Sequence, residues 1–209
     1  MKTTIIFLTL VSCFLASAQQ ETEETTYFKK GMVAANKSNY ALAIEDYTKV
    51  IEINPKSHLA YFNRGLARFY LEQNKEAIED FTKAITLNPK DVDYYFNRAN
   101  AHVELENYKA ALEDYSKAIK LNPGYEGAYN SRGIIEDELK NYPKAIEDYS
   151  KAIQLNPKDA NAFNNRGISK EKLLKYKEAI EDFKKAISLN VYHQIYKDNL
   201  KRAEEKAAK

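Results

Sequence analysis

The sequence predicts an all-α protein built from five consecutive pairs of helices. Prolines recur every 34 residues, at positions 55, 89, 123 and 157, and Val191 stands at the fifth equivalent position. Each 34-residue segment contains two stretches in which apolar residues recur at helical spacing. Only 6 Gly, 5 Pro and no Trp occur in the 209 residues, which disfavours folds rich in strands and turns. A fixed period of this length is typical of a repeat protein.

The N-terminal residues 1–18 have a different character and predict a secretory signal peptide. Lys2 is followed by the apolar stretch TTIIFLTLVSCFLA and then by Ala16-Ser17-Ala18, the small-residue pattern of a cleavage site. A membrane-spanning helix is the weaker interpretation, since a span needs about 20 apolar residues. We therefore expect an exported bacterial protein, periplasmic or secreted.

A second interpretation of the N-terminus concerns Cys13. The residues LVSC (Leu10 to Cys13) resemble the lipobox of bacterial lipoproteins, in which the cysteine is acylated after cleavage. Only this modification would make a membrane a partner of the protein. Cleavage after Ala18 would instead remove the single cysteine of the chain.

The repeats follow one another without a linker. They cover Glu24–Ser57, His58–Asp91, Val92–Tyr125, Glu126–Asp159 and Ala160–His193. In the fourth repeat a first helix carries Tyr129, Gly133 and Leu139, and a second begins after the short polar break KNYP. Asn-Pro closes the second helix, because proline lacks a donor and disfavours the α conformation at the residue before it. Each repeat is thus predicted to be an antiparallel helix pair.

Small and aromatic residues keep constant registers through the repeats. The first helices carry Gly31, Gly65, Ala99, Gly133 and Gly167 at one position; the second helices carry Ala43, Ala77, Ala111, Ala145 and Ala179 at another. Glycine inside a helix costs up to about 1 kcal/mol relative to alanine, so its recurrence predicts close helix crossing. Aromatic residues are expected to fill the adjoining space, at Tyr47, Phe81, Tyr115, Tyr149 and Phe183 on the second helices.

This pattern resembles the tetratricopeptide repeat (TPR) family, over Glu24 to His193 and in five copies. The resemblance implies a right-handed α-solenoid of helix-turn-helix repeats. It also implies that the first helices form a concave face that binds a peptide or a partner protein. Residues 194–209 continue with an apolar stripe and a polar side of mixed charge, which predicts a C-terminal capping helix on the fifth repeat.

Charged residues recur as well. Lys30 is followed at the same register by Arg64, Arg98, Arg132 and Arg166, and the second helices carry Asp46, Asp80, Asp114, Asp148 and Asp182. Because arginine begins only in the second repeat, we expect each aspartate to pair with the arginine of the following repeat. The predicted pairs are Asp46–Arg64, Asp80–Arg98, Asp114–Arg132 and Asp148–Arg166. A row of arginines that binds phosphate or carboxylate is the alternative.

The sequence contains no catalytic constellation, and we do not expect an enzyme. The three histidines lack metal-ligand spacing, and no phosphate-binding glycine loop occurs. Because 32 basic and 30 acidic residues nearly cancel, a nucleic-acid partner is not expected either. We expect no cofactor, no metal and no small-molecule substrate.

The predicted function is protein–protein interaction through the concave groove. Its expected lining is apolar towards the N-terminus and polar towards the C-terminus, with Asp137 and Glu171 at the polar end. The candidate groove residues are Phe28, Met32, Leu59, Phe62, Asn63, Leu66, Phe69, Phe96, Asn97, Asn130, Asn164 and Asn165. Such a groove suits an apolar or amphipathic peptide. Burial of the aromatics between neighbouring repeats is the other interpretation. A lipoprotein scaffold tethered through Cys13, which organises an envelope assembly, is the alternative function.

Overall fold

The computed structural model describes residues 23–208, and all regular structure in that range is α-helical. The predicted all-α class is confirmed, while the predicted signal peptide and Cys13 lie outside the described residues. The eleven described helices are α1 (23–36), α2 (Tyr40–Ile53), α3 (His58–Tyr70), α4 (Asn74–Leu87), α5 (Val92–Glu104), α6 (Tyr108–Leu121), α7 (Glu126–Glu138), α8 (Tyr142–Leu155), α9 (Ala160–Lys172), α10 (Tyr176–Leu189) and α11 (Gln194–Ala207).

Two kinds of local geometry divide the chain into helix pairs. Four of the five second helices end at an asparagine before proline, and α10 ends at Asn190 before Val191. Asn54, for example, has φ −128° and ψ 88°, outside the α region. The turn inside each repeat contains one residue in the left-handed region, such as Glu72 with φ 59°. There the amide of Gln73 donates to the carbonyl of Arg68 at 2.9 Å, which closes the end of α3.

The helices group into two compact units, divided between Glu106 and Asn107. In unit 1 (described from residue 23 to 106) α3 packs on both α2 and α4, α4 packs on α5, and the first helices α3 and α5 touch. In unit 2 (residues 107–208) each helix from α6 to α11 packs on the next, and α9 also contacts α7 and α11. This packing of consecutive helix pairs is typical of a TPR solenoid.

Small and aromatic side chains form the core of each pair. Ala77, Phe81 and Ala84 of α4 are completely buried, as are Ala179, Phe183 and Ala186 of α10. A Cβ added to Gly65 would lie 2.8 Å from Phe81 Cε1, and at Gly167 it would lie 2.7 Å from Phe183 Cε1. Glycine therefore recurs because the ring of the second helix lies directly against the backbone of the first.

The C-terminal helix α11 is attached to α9 by polar contacts. The buried carboxylate of Glu171 accepts from Arg202 Nε at 2.9 Å, Arg202 Nη2 at 2.7 Å and Lys206 Nζ at 2.8 Å. Asn199 Nδ2 donates to Asn164 Oδ1 at 2.8 Å. Burial favours the neutral form of Glu171, but these donors outweigh it and lower the pKa of Glu171 below its usual value.

Candidate functional site

Three of the four recurring arginines are bound to an aspartate of their own repeat. Arg64 Nε and Nη2 donate to the two oxygens of Asp80 at 2.9 and 2.7 Å. The same bidentate geometry joins Arg132 to Asp148 at 2.9 and 2.6 Å and Arg166 to Asp182 at 2.9 and 2.7 Å. The predicted pairing with the following repeat is therefore wrong for Arg64, Arg132 and Arg166. The cause is the antiparallel hairpin, which brings a first-helix residue beside the second-helix residue 16 positions later.

These arginines nevertheless contact the preceding repeat through a hydroxyl group. Arg64 Nη1 donates to Thr48 Oγ1 at 3.1 Å and Arg98 Nη1 to Thr82 Oγ1 at 2.9 Å. In unit 2 the equivalent bonds run to Ser116 at 2.9 Å and Ser150 at 3.0 Å. Three arginines are thus engaged on two sides, which leaves little capacity for a phosphate-binding row.

The apolar half of the predicted groove lies in unit 1. We call it the aromatic face and define it by Phe28, Met32, Leu59, Phe62, Leu66, Phe69 and Phe96, with Asn63 and Asn97 beside them. Met32 and Leu59 are 46% and 47% exposed, and the other apolar members are half-buried. On α3, Leu59, Phe62, Leu66 and Phe69 recur at spacings of three and four, so they share one side of the helix.

The inner edges of these rings contact the core. The Phe62 ring centroid lies 5.8 Å from that of Phe81 and 4.7 Å from that of Tyr94. Phe28 meets Tyr47 edge-on at 5.6 Å. Tyr94 is itself buried, which raises its pKa to about 12, and its hydroxyl lies 2.6 Å from His58 Nδ1. The aromatic face therefore has a fixed inner layer and an accessible outer layer.

The amide side chains of this face are turned towards their own helices. Asn63 Nδ2 donates to the carbonyl of Leu59, and Asn97 Nδ2 to that of Asp93, both at 2.8 Å. Both asparagines are half-buried, and the Oδ1 atom of each is a hydrogen-bond acceptor. A peptide backbone N–H is thus the group that they are best placed to bind.

The candidate residues of unit 2 fall into different environments. Asn164 is only 6% exposed and is bonded to Asn199 of α11, so its side chain lies in the contact with the capping helix. Asn165 is half-buried and lines an open cleft. The buried Oδ1 of Asn130 accepts no hydrogen bond from any group between residues 23 and 208.

The cleft beside Asn165 has a volume of about 490 Å³ and a lining of both polar and apolar side chains. One edge of the cleft is the half-buried Asp137, which accepts from Ser169 Oγ at 2.8 Å and from Tyr149 Oη at 3.0 Å. Burial raises the pKa of Asp137, although both hydrogen bonds oppose that shift. Ser169 and Tyr149 are absent from the residues predicted for the groove, and nothing in the sequence pattern distinguishes them from packing residues.

The described residues contain neither a metal-binding cluster nor a membrane-spanning helix. Between residues 23 and 208, no three His, Cys, Asp or Glu side chains are grouped so that they could bind a metal ion. Over the same range, no helix combines the length and the hydropathy needed to cross a bilayer.

Solved structures with the same architecture include several TPR proteins. A crystal structure of MamA protein matches with a TM-score of 0.76 at 28% identity, over 80% of this chain and 91% of that one. YrrB, described as a TPR protein with an unusual peptide-binding site, matches at 0.76 and 23% identity, over 90% and 97%. A tetratricopeptide repeat protein from Parabacteroides merdae matches at 0.79 and 22% identity, over 90% and 74%. No curated protein matches the sequence.

Family models described as tetratricopeptide repeat match nearly the whole described chain. One model matches residues 58–91, 92–125, 127–159 and 160–191, and a second matches residues 24–57. This fold and its structural relatives support a protein–protein interaction module and a protein or peptide partner. The chain belongs to the tetratricopeptide repeat family.

Proposed function

We propose that the protein binds an apolar or amphipathic segment of a partner protein on the aromatic face of unit 1, without catalysing a reaction. The observation that carries this proposal is the exposure of Met32 and Leu59, at 46% and 47%, above a layer of half-buried rings. Burying each Å² of apolar surface contributes about 25 cal/mol, so a partner that covers these two side chains and the ring edges gains binding free energy.

The geometry of the face suits an extended or helical peptide. The inner rings are held by Phe81, Tyr94 and Tyr47, so little side-chain freedom is lost when a partner is bound. The carbonyl oxygens of Asn63 and Asn97 provide polar acceptors beside the rings. A contiguous apolar surface with a few placed polar groups is typical of peptide recognition.

Site-specific photo-crosslinking tests the proposal. A benzoylphenylalanine at Leu59 is expected to capture one partner segment, and the same group at Leu174, which is 70% exposed in unit 2, serves as the matched control. With benzoylphenylalanine at Leu59, the added variant Met32→Ser should strongly reduce capture while thermal unfolding stays unchanged, since Met32 is exposed. Equal capture from both positions, or capture that survives Met32→Ser, would contradict the proposal.

We also propose export of the protein from the cytoplasm, based on residues 1–18 alone. The lipid-tethered scaffold remains the second candidate because LVSC precedes the cleavage pattern. Intact mass of the native protein separates the two. A chain that begins at Gln19 supports a soluble exported module, a diacylated Cys13 supports the tethered scaffold, and an uncleaved chain refutes both.

A further inference from the structure

Helix α1 has a face that corresponds to the face of α3 covered by α2. In α3, Ala60 and Ala67 are 0% and 2% exposed, and the helix that packs on α3 from the preceding repeat is α2. At the corresponding positions α1 carries Thr26 and Val33, and Val33 is 53% exposed. A cleft of about 590 Å³ lies there, between α1 and α2. We call it the α1 cleft; its lining includes Lys29, Lys30, Val33, Lys37, Leu42 and Asp46.

The first helices α3, α5 and α9 each form the same hydrogen bond with the second helix of the preceding repeat, which covers them. Arg64 of α3 donates to Thr48 of α2 at 3.1 Å, and Arg98 of α5 donates to Thr82 of α4 at 2.9 Å. Arg166 of α9 donates to Ser150 of α8 at 3.0 Å. The covering helix therefore always presents a hydroxyl to the cation of the helix beneath it.

The α1 cleft contains a cation and a buried aspartate at the equivalent positions, but they do not form the ion pair seen in α3 and α4. Lys30 replaces the arginine, and Ala34 stands where α3 has Arg68, which reaches Asp80 at 2.7 Å. Asp46 is only 8% exposed, yet within residues 23–208 its carboxylate accepts no side-chain hydrogen bond and has no cation within ion-pair distance. Burial raises the pKa of Asp46, while the more distant Lys30 opposes that shift.

We infer that the α1 cleft binds an amphipathic helix of a partner protein, with a serine or threonine facing Lys30 and carboxylates facing Lys29 and Lys37. The lining of the α1 cleft does not include Phe28 and Met32, the members of the aromatic face on α1. In the complex, Lys30 bridges Asp46 and the partner hydroxyl, as Arg64 bridges Asp80 and Thr48. Exclusion of water strengthens the attraction between Lys30 and Asp46.

Charge and shape both define this partner. Position 29 is Asn63, Asn97 and Asn165 in three other repeats, and position 37 is leucine in all four. Lysine at both positions therefore distinguishes α1 from the equivalent first helices of the other four repeats. Val33 and Leu42, the latter 44% exposed, provide the apolar floor. An acidic helix complements three lysines around that floor.

The test uses a synthetic copy of α2 (Tyr40–Ile53), the helix that covers α3. The peptide is acetylated, amidated, dye-labelled and held helical by a Glu45–Lys49 lactam, because isolated helices of this length are marginal. Fluorescence anisotropy with the full chain is expected to show saturable binding. Affinity should fall about ten-fold or more with Lys30→Met, with Lys29→Gln/Lys37→Gln, or with a Thr48→Val peptide.

The matched control is Lys75→Gln/Lys83→Gln, which removes two exposed lysines of α4 and should leave the affinity unchanged. Circular dichroism melting checks that each variant is folded. No binding, or equal binding by the Lys30→Met protein, would overturn the inference. So would self-association in sedimentation velocity that Lys30→Met abolishes, since the occupant would then be a second copy. Binding that appears only when the chain begins at Gln19 would identify the N-terminal segment as the occupant and overturn it too.

Discussion

Two buried aspartates of unit 2 provide a direct test of how the arginine clamps stabilise the protein. Asp148 and Asp182 have the same exposure, 4%, and each accepts two hydrogen bonds from its arginine. Asp182 also pairs with Lys170 at 2.8 Å. Among the described residues, no second cation lies within ion-pair distance of Asp148. Arg132→Met should therefore destabilise the protein more than Arg166→Met does.

The expected difference is about 2 kcal/mol. Removing one partner of a buried ion pair costs about 3–5 kcal/mol, and we take the lower end because the Arg132 side chain is 24% exposed. After Arg166→Met the Lys170 contact still compensates the charge of Asp182, so the loss is that of hydrogen bonds, about 1 kcal/mol. Urea unfolding of the two variants at pH 7, followed by circular dichroism, measures the difference. Equal losses, or a larger loss for Arg166→Met, would refute the reasoning.

The pH dependence gives the same comparison a second readout. Burial raises the pKa of Asp148 even with Arg132 present, and removal of Arg132 raises it further. A buried acid with a raised pKa is destabilising while it is ionised, and this penalty falls as the pH decreases through the folded-state pKa. The destabilisation by Arg132→Met should therefore shrink towards acidic pH. A penalty independent of pH would mean that lost packing, and not the charge, causes it.

Two further predictions concern α11 and the glycine register. Glu171→Gln should speed amide hydrogen exchange in α11 about ten-fold. The control is Glu178→Gln, since Glu178 is 53% exposed. Because the pKa of Glu171 is lowered, the stability that Glu171 gives to the wild-type protein is lost as the pH falls below about 4.5. Gly167→Ala should lower the free energy of unfolding by about 1 kcal/mol, because overpacking against Phe183 exceeds the gain in helix propensity. Adding Phe183→Leu to this variant should relieve the loss. Gly124→Ala should not show the loss, because its Cβ would meet only Asn122 Oδ1, at 3.3 Å. Exchange unchanged by Glu171→Gln, or a Gly167→Ala variant as stable as the wild type, would contradict these assignments.

The helix pairs could be predicted because their signals are local. Asn-Pro prevents helix continuation wherever it occurs, and the helical spacing of apolar residues marks each helix within its own repeat. The partner of each arginine is a different kind of question. Arg64 lies 18 residues after Asp46 and 16 residues before Asp80, so both pairings fit the same period. Only the three-dimensional hairpin decides between them.

The structure explains the absence of arginine from the first repeat by the contact between each arginine and a hydroxyl group of the preceding repeat, and not by the pairing with aspartate. Arg64, Arg98 and Arg166 each use one nitrogen on a hydroxyl of the preceding repeat. The first repeat has no such hydroxyl before it within residues 23–208, so a guanidinium at position 30 would lack that acceptor. The sequence contained the signal, the recurring Thr or Ser at positions 48, 82, 116 and 150, but on a helix surface these residues resemble ordinary solvent-exposed positions.

Side-chain direction accounts for the rest of what the sequence did not provide. An asparagine on a helix can face a ligand or its own backbone, and Asn63 and Asn97 do the latter with their amide nitrogens. Asn164 is covered by α11, a contact that joins residues 35 positions apart. A register describes which face a residue is on, and long-range packing decides whether that face remains open.

Residues at one equivalent position of the first helices have different contacts in different repeats. It reads Phe69 in α3, Asp137 in α7 and Glu171 in α9. Phe69 packs beside the core of the α3–α4 pair, and Glu171 is fully engaged by Arg202 and Lys206. Asp137 is different, because it lines an open cleft while Ser169 and Tyr149 hold its orientation. The capping helix therefore engages Glu171, one of the two carboxylates expected at the polar end, and Asp137 is the one that lines a cleft.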